Sequence, residues 1–259
     1  MNKKERQAQR AKQEDAILNK VLWWIVGSVV LEALLLLLNK VYVRYTASQI
    51  ELAYALRGVF QVLAIVLPIC FVVLAVLWLA ARKAGRLTKL TGALTLIALI
   101  LAVCAVVVRV FDAVGVKFLY IAVPAVAVLA LIYYLYQREF FFSALLCALG
   151  LLGVKLLPRM MGAYVMAYAY AYAVVLAVIL VAALVLFRMM QKSGGHLTVK
   201  GKAVQVLPKN VNYALLYVTC AVVAVVDIAA VVLGALVILY GVLVAWLLIL
   251  AVYYTVRLM

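Results

Sequence analysis

Residues 213–256 read YALLYVTCAVVAVVDIAAVVLGALVILYGVLVAWLLILAVYYTV, a stretch in which Asp227 is the only charged side chain. As one α-helix it would be about 66 Å long, at about 1.5 Å per residue, which is roughly twice the ~30 Å hydrocarbon core of a bilayer. The chain must therefore fold back within this stretch. Gly234 is the expected turn, because glycine adopts the backbone angles of a tight turn without steric cost.

The same apolar character recurs along the rest of the chain. Apolar residues make up 71% of the 259 positions and charged residues only 12%, whereas soluble domains are about half apolar and about a quarter charged. Lipid is the solvent that accommodates such a composition. The sequence predicts an all-α integral membrane protein, a bundle of eight transmembrane helices, or seven if 213–256 formed one span. The predicted spans are 21–39, 58–81, 92–111, 118–136, 140–157, 164–187, 213–233 and 235–256.

The net charge is +16, and its distribution predicts the orientation in the membrane. With the N-terminus inside, most of the 24 Lys and Arg residues fall on the inner side, as the positive-inside rule requires. We therefore expect both ends in the cytoplasm, and no nucleic-acid partner is needed to explain the charge. The outer side is expected to carry the remaining basic residues: Lys40, Arg44, Arg57, Arg109, Lys117, Lys155 and Arg159.

The predicted spans divide the chain into four parts. Residues 1–20 form a basic cytoplasmic leader that lacks the features of a cleaved signal, so we expect it to stay attached. Helices one to six occupy 21–187, a cytoplasmic loop occupies 188–212, and helices seven and eight with a short C-terminus occupy 213–259. The expected location is a plasma membrane, specifically a bacterial inner membrane.

The 188–212 loop departs from helical periodicity. Leu197 and Val199 alternate with polar residues, a Lys-Gly-Lys turn follows, and Val204 and Val206 alternate again. Alternation of this kind predicts strands. We expect a small cytoplasmic β-hairpin near 196–207.

Ionisable side chains within a bilayer are costly and are functional candidates by default. On the predicted topology, six of them gather in the outer half of the membrane and could line a polar vestibule. The alternative is a set of structural ion pairs together with basic side chains that extend from helix ends to water. The six candidates are Glu32, Arg109, Asp112, Lys155, Arg159 and Asp227.

A tyrosine stripe marks the sixth predicted helix. Tyr164, Tyr168 and Tyr172 are four residues apart and share one helix face. Small residues between them allow close helix packing. The stripe is either a pathway lined with hydroxyl groups or, as the leading interpretation, a packing surface whose hydroxyls bond to neighbouring helices.

Motifs for catalysis are missing from the sequence. It contains no Walker loop, no HExxH and no G-x-S-x-G elbow, and its four cysteines and single histidine, His196, lack metal-site spacing. We expect no cofactor, no metal and no enzymatic activity. A membrane enzyme using Asp112 and Asp227 is the last of three hypotheses.

Two non-enzymatic hypotheses rank above it. The leading one is a membrane scaffold or accessory subunit, whose expected partners are the bilayer, anionic lipid headgroups and a membrane or cytoplasmic protein. The second is a transporter or permease for a small or lipid-like ligand that uses the charge cluster around Glu32. The shortage of polar groups in the spans argues against a strongly polar substrate.

Overall fold

The computed structural model describes residues 3–44, 46, 49–84, 88–160, 167–199, 202–205, 207 and 211–258. Within them the chain is helical apart from one pair of short strands. A π-helical turn, Asn39–Val43, ends the first helix, and a 3₁₀ turn, Leu157–Met160, ends the fourth. The helices are α1 (Lys3–Leu38), α2 (Ile50–Ala84), α3 (Thr88–Leu135), α4 (Arg138–Leu156), α5 (Ala167–Lys192), α6 (Tyr213–Leu233) and α7 (Val237–Leu258).

Seven helices in the described part of the chain are long and apolar enough to cross a membrane. The chain is thus a multi-pass helical membrane protein. The predicted break near Gly234 is confirmed, because Gly234 ends α6 with a φ of 84° and α7 begins three residues later.

The prediction of eight helices is wrong, and the difference lies in α3. Predicted spans 92–111 and 118–136 both fall on α3, which counts as one helix although Asp112 interrupts it with non-helical backbone angles.

The chain bends sharply within α3 at Asp112, whose φ is 49° and ψ is −129°. A Cβ placed on Gly115 would lie 2.5 Å from the backbone oxygen of Val107. In a straight helix, eight residues separate two positions by about 12 Å. The two arms of α3, 88–111 and 113–135, therefore meet at a sharp angle.

The chain divides into two compact units, Met1–Ala127 and Val128–Met259. The first unit has a small core, formed where the end of α1 and the start of α2 meet the two arms of α3. Thr95 near the start of α3 also donates to the backbone oxygen of Leu74 in α2 at 3.2 Å. The buried core residues are Leu35, Tyr42, Val108, Val116 and Leu119.

The second unit contains two clusters of buried side chains, one of them larger than the core of the first unit. One joins α4, α5, α6 and α7 and includes Cys147, Val154, Leu216, Val223 and Leu243. The other joins the last turns of α3 to α4 and α7 and includes Ile132, Phe140, Ala144, Leu250 and Tyr254. Helix α4 lies in both clusters and is the central helix of this unit.

Strands β1 (His196–Val199) and β2 (Lys202–Gln205) pair antiparallel in the segment where the sequence predicts strands at 196–199 and 203–207. The base of this strand pair is fixed to the second unit. The backbone N–H of Leu207 donates to the oxygen of Gly195 at 3.3 Å, and the Leu207 side chain is buried among α5 and α6 residues. The strand pair is therefore attached at its base to the core of the second unit.

The leader predicted at 1–20 is helical from Lys3 and continuous with the first predicted span. Its basic residues therefore extend a helix that becomes apolar after Lys20. The predicted division of the chain into four parts remains a prediction.

Candidate functional site

The six ionisable residues predicted to form one cluster divide between the two units. Glu32, Arg109 and Asp112 belong to the first unit, and Lys155, Arg159 and Asp227 to the second. The predicted convergence of all six in the outer half of a membrane stays a prediction.

In the first unit, Asp112 joins three elements. Its carboxylate accepts a hydrogen bond from the Tyr42 hydroxyl, and its Oδ2 lies 3.7 Å from Nη2 of Arg57. The Arg57 guanidinium also lies 5.6 Å from the centre of the Tyr42 ring. The side chains of Arg57 and Asp112 are about half exposed, so this is a surface cluster that holds the bend of α3 against α1 and α2.

Glu32 and Arg109 lie outside this surface cluster. Glu32 is half-buried on α1, and its Oε2 atom is buried without a hydrogen-bond partner among the described residues. Arg109 is exposed. Asp112, which follows it by three residues, pairs with Arg57 of α2 instead.

In the second unit, Asp227 is buried at 4% exposure in the middle of α6. A Cβ at Gly153 would overlap its carboxylate, with the Asp227 Cγ only 2.9 Å away. The carboxylate therefore lies directly against the backbone of α4. Neither of its oxygens has a hydrogen-bond partner in the described part of the chain.

The two basic candidates of the second unit lie at its surface. Lys155 is exposed near the end of α4. Arg159 is exposed on the 3₁₀ turn, where its Nη1 donates to the Tyr168 hydroxyl and its guanidinium lies 5.9 Å from the Tyr168 ring centre. Neither forms an ion pair with Asp227 among the described residues.

Two tyrosines of the predicted stripe are described, and Tyr164 lies outside the described residues. The hydroxyl of Tyr172 donates to the backbone oxygen of Leu149 in α4 at 2.5 Å. Tyr168 accepts the hydrogen bond from Arg159. In both cases the hydroxyl connects α5 to a neighbouring element.

A buried acid that the sequence analysis did not single out, Glu139, joins the ends of three helices. Its Oε2 accepts hydrogen bonds from Arg257 Nη1 at 3.1 Å, from the Tyr254 hydroxyl at 3.3 Å and from the backbone N–H of Asn212 at 3.4 Å. Glu139 is fully buried, whereas the Arg257 side chain is 27% exposed. We call this set the Glu139 cluster.

The sequence gives little indication of the Glu139 cluster. Glu139 directly precedes an apolar run, and Arg257 ends another, so both read as ordinary residues of a membrane boundary. The two are separated by 118 positions in the chain. Local spacing carries no information about such a contact.

The described side chains offer little for metal or nucleophile chemistry. No group of three or more His, Cys, Asp or Glu residues in the described ranges is placed to hold a metal ion. Cys147 and Cys220 are buried in the core of the second unit. What the geometry does provide is two buried acids in the same helical bundle: Glu139, whose Oε2 has three hydrogen-bond donors and whose Oε1 has no partner among the described residues, and Asp227, whose two oxygens both lack one there.

Comparison with known proteins found no match: no family model, no curated protein and no solved structure is similar to this chain.

Proposed function

We propose that this protein is a membrane scaffold or accessory subunit that binds a partner through the first unit. The exposure of α2 carries the proposal. The most apolar 18 residues of α2 include none that is buried within the described structure, whereas half of the most apolar 18 residues of α4 are buried. A helix with so little internal packing has its side faces free for other transmembrane helices.

The closest contacts of α2 lie near its start and in its last third, and the residues between them are at most half-buried. Leu56 and Phe60 near its start pack on the core of the first unit. Near its end, the indole Nε1 of Trp78 lies 3.0 Å from the position of a Cβ on Gly92. Between these ends, α2 exposes large apolar side chains: Val62, Ile65, Val66, Ile69, Val72 and Val73.

The interior of the second unit supports the same proposal, because its buried hydroxyl groups are satisfied locally. Ser143 donates to the backbone oxygen of Glu139, and Thr219 donates to that of Leu215. Thr219 also accepts a hydrogen bond from the Trp246 indole at 3.1 Å. Hydroxyls that bond within the bundle favour a packed structural core over a solute pathway.

The orientation and location belong to the proposal as well. We place the N-terminal leader, the strand pair and the C-terminus on the cytoplasmic side of a bacterial inner membrane, following the distribution of Lys and Arg. This arrangement is supported by the sharp bend at Asp112, which returns α3 toward its starting side. The leader would then attract anionic headgroups, and the strand pair would face a protein partner.

Site-specific photocrosslinking in intact membranes tests the role of α2. Benzoylphenylalanine replaces Val62 on α2 or, as a matched control, Val225 on α6; the two valines are 60% and 66% exposed. We expect one discrete protein adduct from position 62 and only lipid adducts from position 225. Lipid adducts alone at both positions would contradict a partner on α2.

A second variant tests the strand pair. Because Leu207 and Gly195 lie side by side, two glycines can replace 196–206 without moving the buried Leu207. We expect this variant to elute from size-exclusion chromatography like the wild type but to lose the protein that crosslinks at position 62. If that protein still crosslinks with wild-type yield, the strands are not part of the proposed interface.

A permease for a small or lipid-like ligand is the second candidate, favoured by the unpartnered Oε2 of Glu32 inside an apolar helix. Substitution of Glu32 by Gln and by Ala separates the roles. If the Glu32 carboxylate is required for transport, both variants fold normally, and cells that express them lose the growth that depends on the wild-type protein. If only folding suffers, or nothing changes, Glu32 has no transport role.

A further inference from the structure

Asp227 combines three properties that are seldom found together. It is 4% exposed, neither carboxylate oxygen has a partner among the described residues, and the backbone of α4 at Gly153 presses directly against it. From this geometry we propose that Asp227 is a reversible proton-binding site inside the second unit. The inference goes beyond the scaffold function and does not depend on it.

The burial explains why the site takes up a proton. An ionised carboxylate removed from water without a compensating partner is strongly destabilised, and such a group neutralises instead of remaining charged. Gly153 admits the carboxylate into this position because it has no side chain. The close approach leaves the carboxyl group enclosed by protein atoms.

Among the described residues, the groups around Asp227 supply no counter-charge. On α4 the nearest basic side chain along the helix is Lys155, which is exposed, and on the 3₁₀ turn Arg159 is exposed and bonded to Tyr168. On α5, the Tyr172 hydroxyl donates to the backbone oxygen of Leu149 in α4. No described side chain forms a hydrogen bond with the Asp227 carboxylate.

The same surroundings argue for a proton and against a metal cation. Hard cations such as Ca²⁺ take about six to eight oxygen ligands, mostly from carboxylates and carbonyls. Asp227 belongs to no cluster of metal-binding side chains in the described ranges. The Leu149 carbonyl near the site already accepts the Tyr172 hydroxyl, whereas a proton requires only the carboxyl group itself.

Glu139 provides an internal reference for the proposed site. It is equally buried and lies in the same unit, but it has Arg257, Tyr254 and Asn212 as hydrogen-bond donors. A carboxylate that accepts several hydrogen bonds and faces a cation is stabilised in its charged form. The two acids therefore differ in the partners that the fold gives them.

Infrared difference spectroscopy of the protein in liposomes tests the site. Spectra recorded between about pH 5 and about pH 9, which span the range a buried acid can reach, are compared for the wild type, Asp227→Asn and Glu139→Gln. We expect a carboxylic acid C=O band that weakens as pH rises in the wild type. Asp227→Asn should lose this band, and Glu139→Gln should keep it.

Three results would overturn the proposal. The first is a band that is identical in the wild type and Asp227→Asn. The second is a band that depends on Asp227 but does not respond to pH, which would make the acid permanently neutral and structural. The third is loss of the band at constant pH when Na⁺ replaces choline, which would make this a site for a metal cation. Asp227→Asn preserves the side-chain volume, and its elution profile verifies that the variant is folded.

Discussion

Two ion pairs among the described residues, one in each unit, have the same chemistry in opposite environments. Arg57 and Asp112 in the first unit are about half exposed and 3.7 Å apart, whereas Arg257 and Glu139 in the second unit are 3.1 Å apart and the acid is fully buried. Water stabilises the separated charges of the first pair but cannot reach the acid of the second. Burial, more than the distance between the atoms, decides what each pair contributes.

The fraction of each helix that is buried also differs between the two units. The most apolar 18 residues of α1 and of α2 are 11% and 0% buried, those of α4 and α6 are 50% and 39% buried, and those of α3, α5 and α7 lie between at 22%, 17% and 22%. The second unit therefore has an interior that fixes polar groups in place. The first unit has surfaces that need lipid or another protein to cover them.

The largest expected effect comes from removing the cation of the buried pair. Arg257→Gln leaves the fully buried Glu139 without its positive partner, which we expect to destabilise the protein by about 3–5 kcal/mol. Arg57→Gln, in the exposed pair, should lose about 1 kcal/mol or less. Thermal unfolding of the two variants in mild detergent measures the difference, and similar midpoints would refute the distinction between the units.

An intermediate effect is expected from adding one methyl group at Gly153. Gly153→Ala forces its Cβ into the Asp227 carboxylate, and overpacking of this kind costs about 1–3 kcal/mol. Gly58→Ala on α2 is the matched control, because nothing lies within 4 Å of its Cβ; it should be neutral or slightly stabilising. Asp227→Ala should restore most of the stability lost by Gly153→Ala, and failure to do so would show that the clash lies elsewhere.

The smallest effect is expected at the bend of α3. Asp112 has a φ of 49°, a conformation that glycine adopts with little strain. Asp112→Gly and Asp112→Ala both lose the exposed pair with Arg57, but only glycine relieves the backbone. We expect the glycine variant to be more stable than the alanine variant by about 1 kcal/mol. Thermal unfolding in mild detergent measures the difference in stability between the two variants. An alanine variant more stable than the glycine variant would rule out backbone strain at Asp112.

Sequence reasoning located the helices because lipid imposes a length and an apolar composition that are visible in a single chain. The separation of α6 from α7 at Gly234 followed from length alone. The sharp bend within α3 could not be located from the sequence, because it depends on the backbone angles of Asp112.

The candidate sites were harder to predict for a related reason. Asp227 stood out as the only charge in a long apolar stretch, but its lack of partners depends on how α4 packs against α6. Glu139 escaped notice because its partners come from distant parts of the chain. Isolated charges can be read from a sequence, whereas their pairing is a property of the folded bundle.

The distance along the chain between Glu139 and Arg257 has a consequence for biosynthesis. The acid emerges from the ribosome 118 residues before the cation that it pairs with. At about 5–20 residues per second, that interval is roughly 6–24 s. During this time the start of α4 must stay at the aqueous boundary or within the insertion machinery. This end of the second unit can complete its packing only after the final turn of α7 has been synthesised.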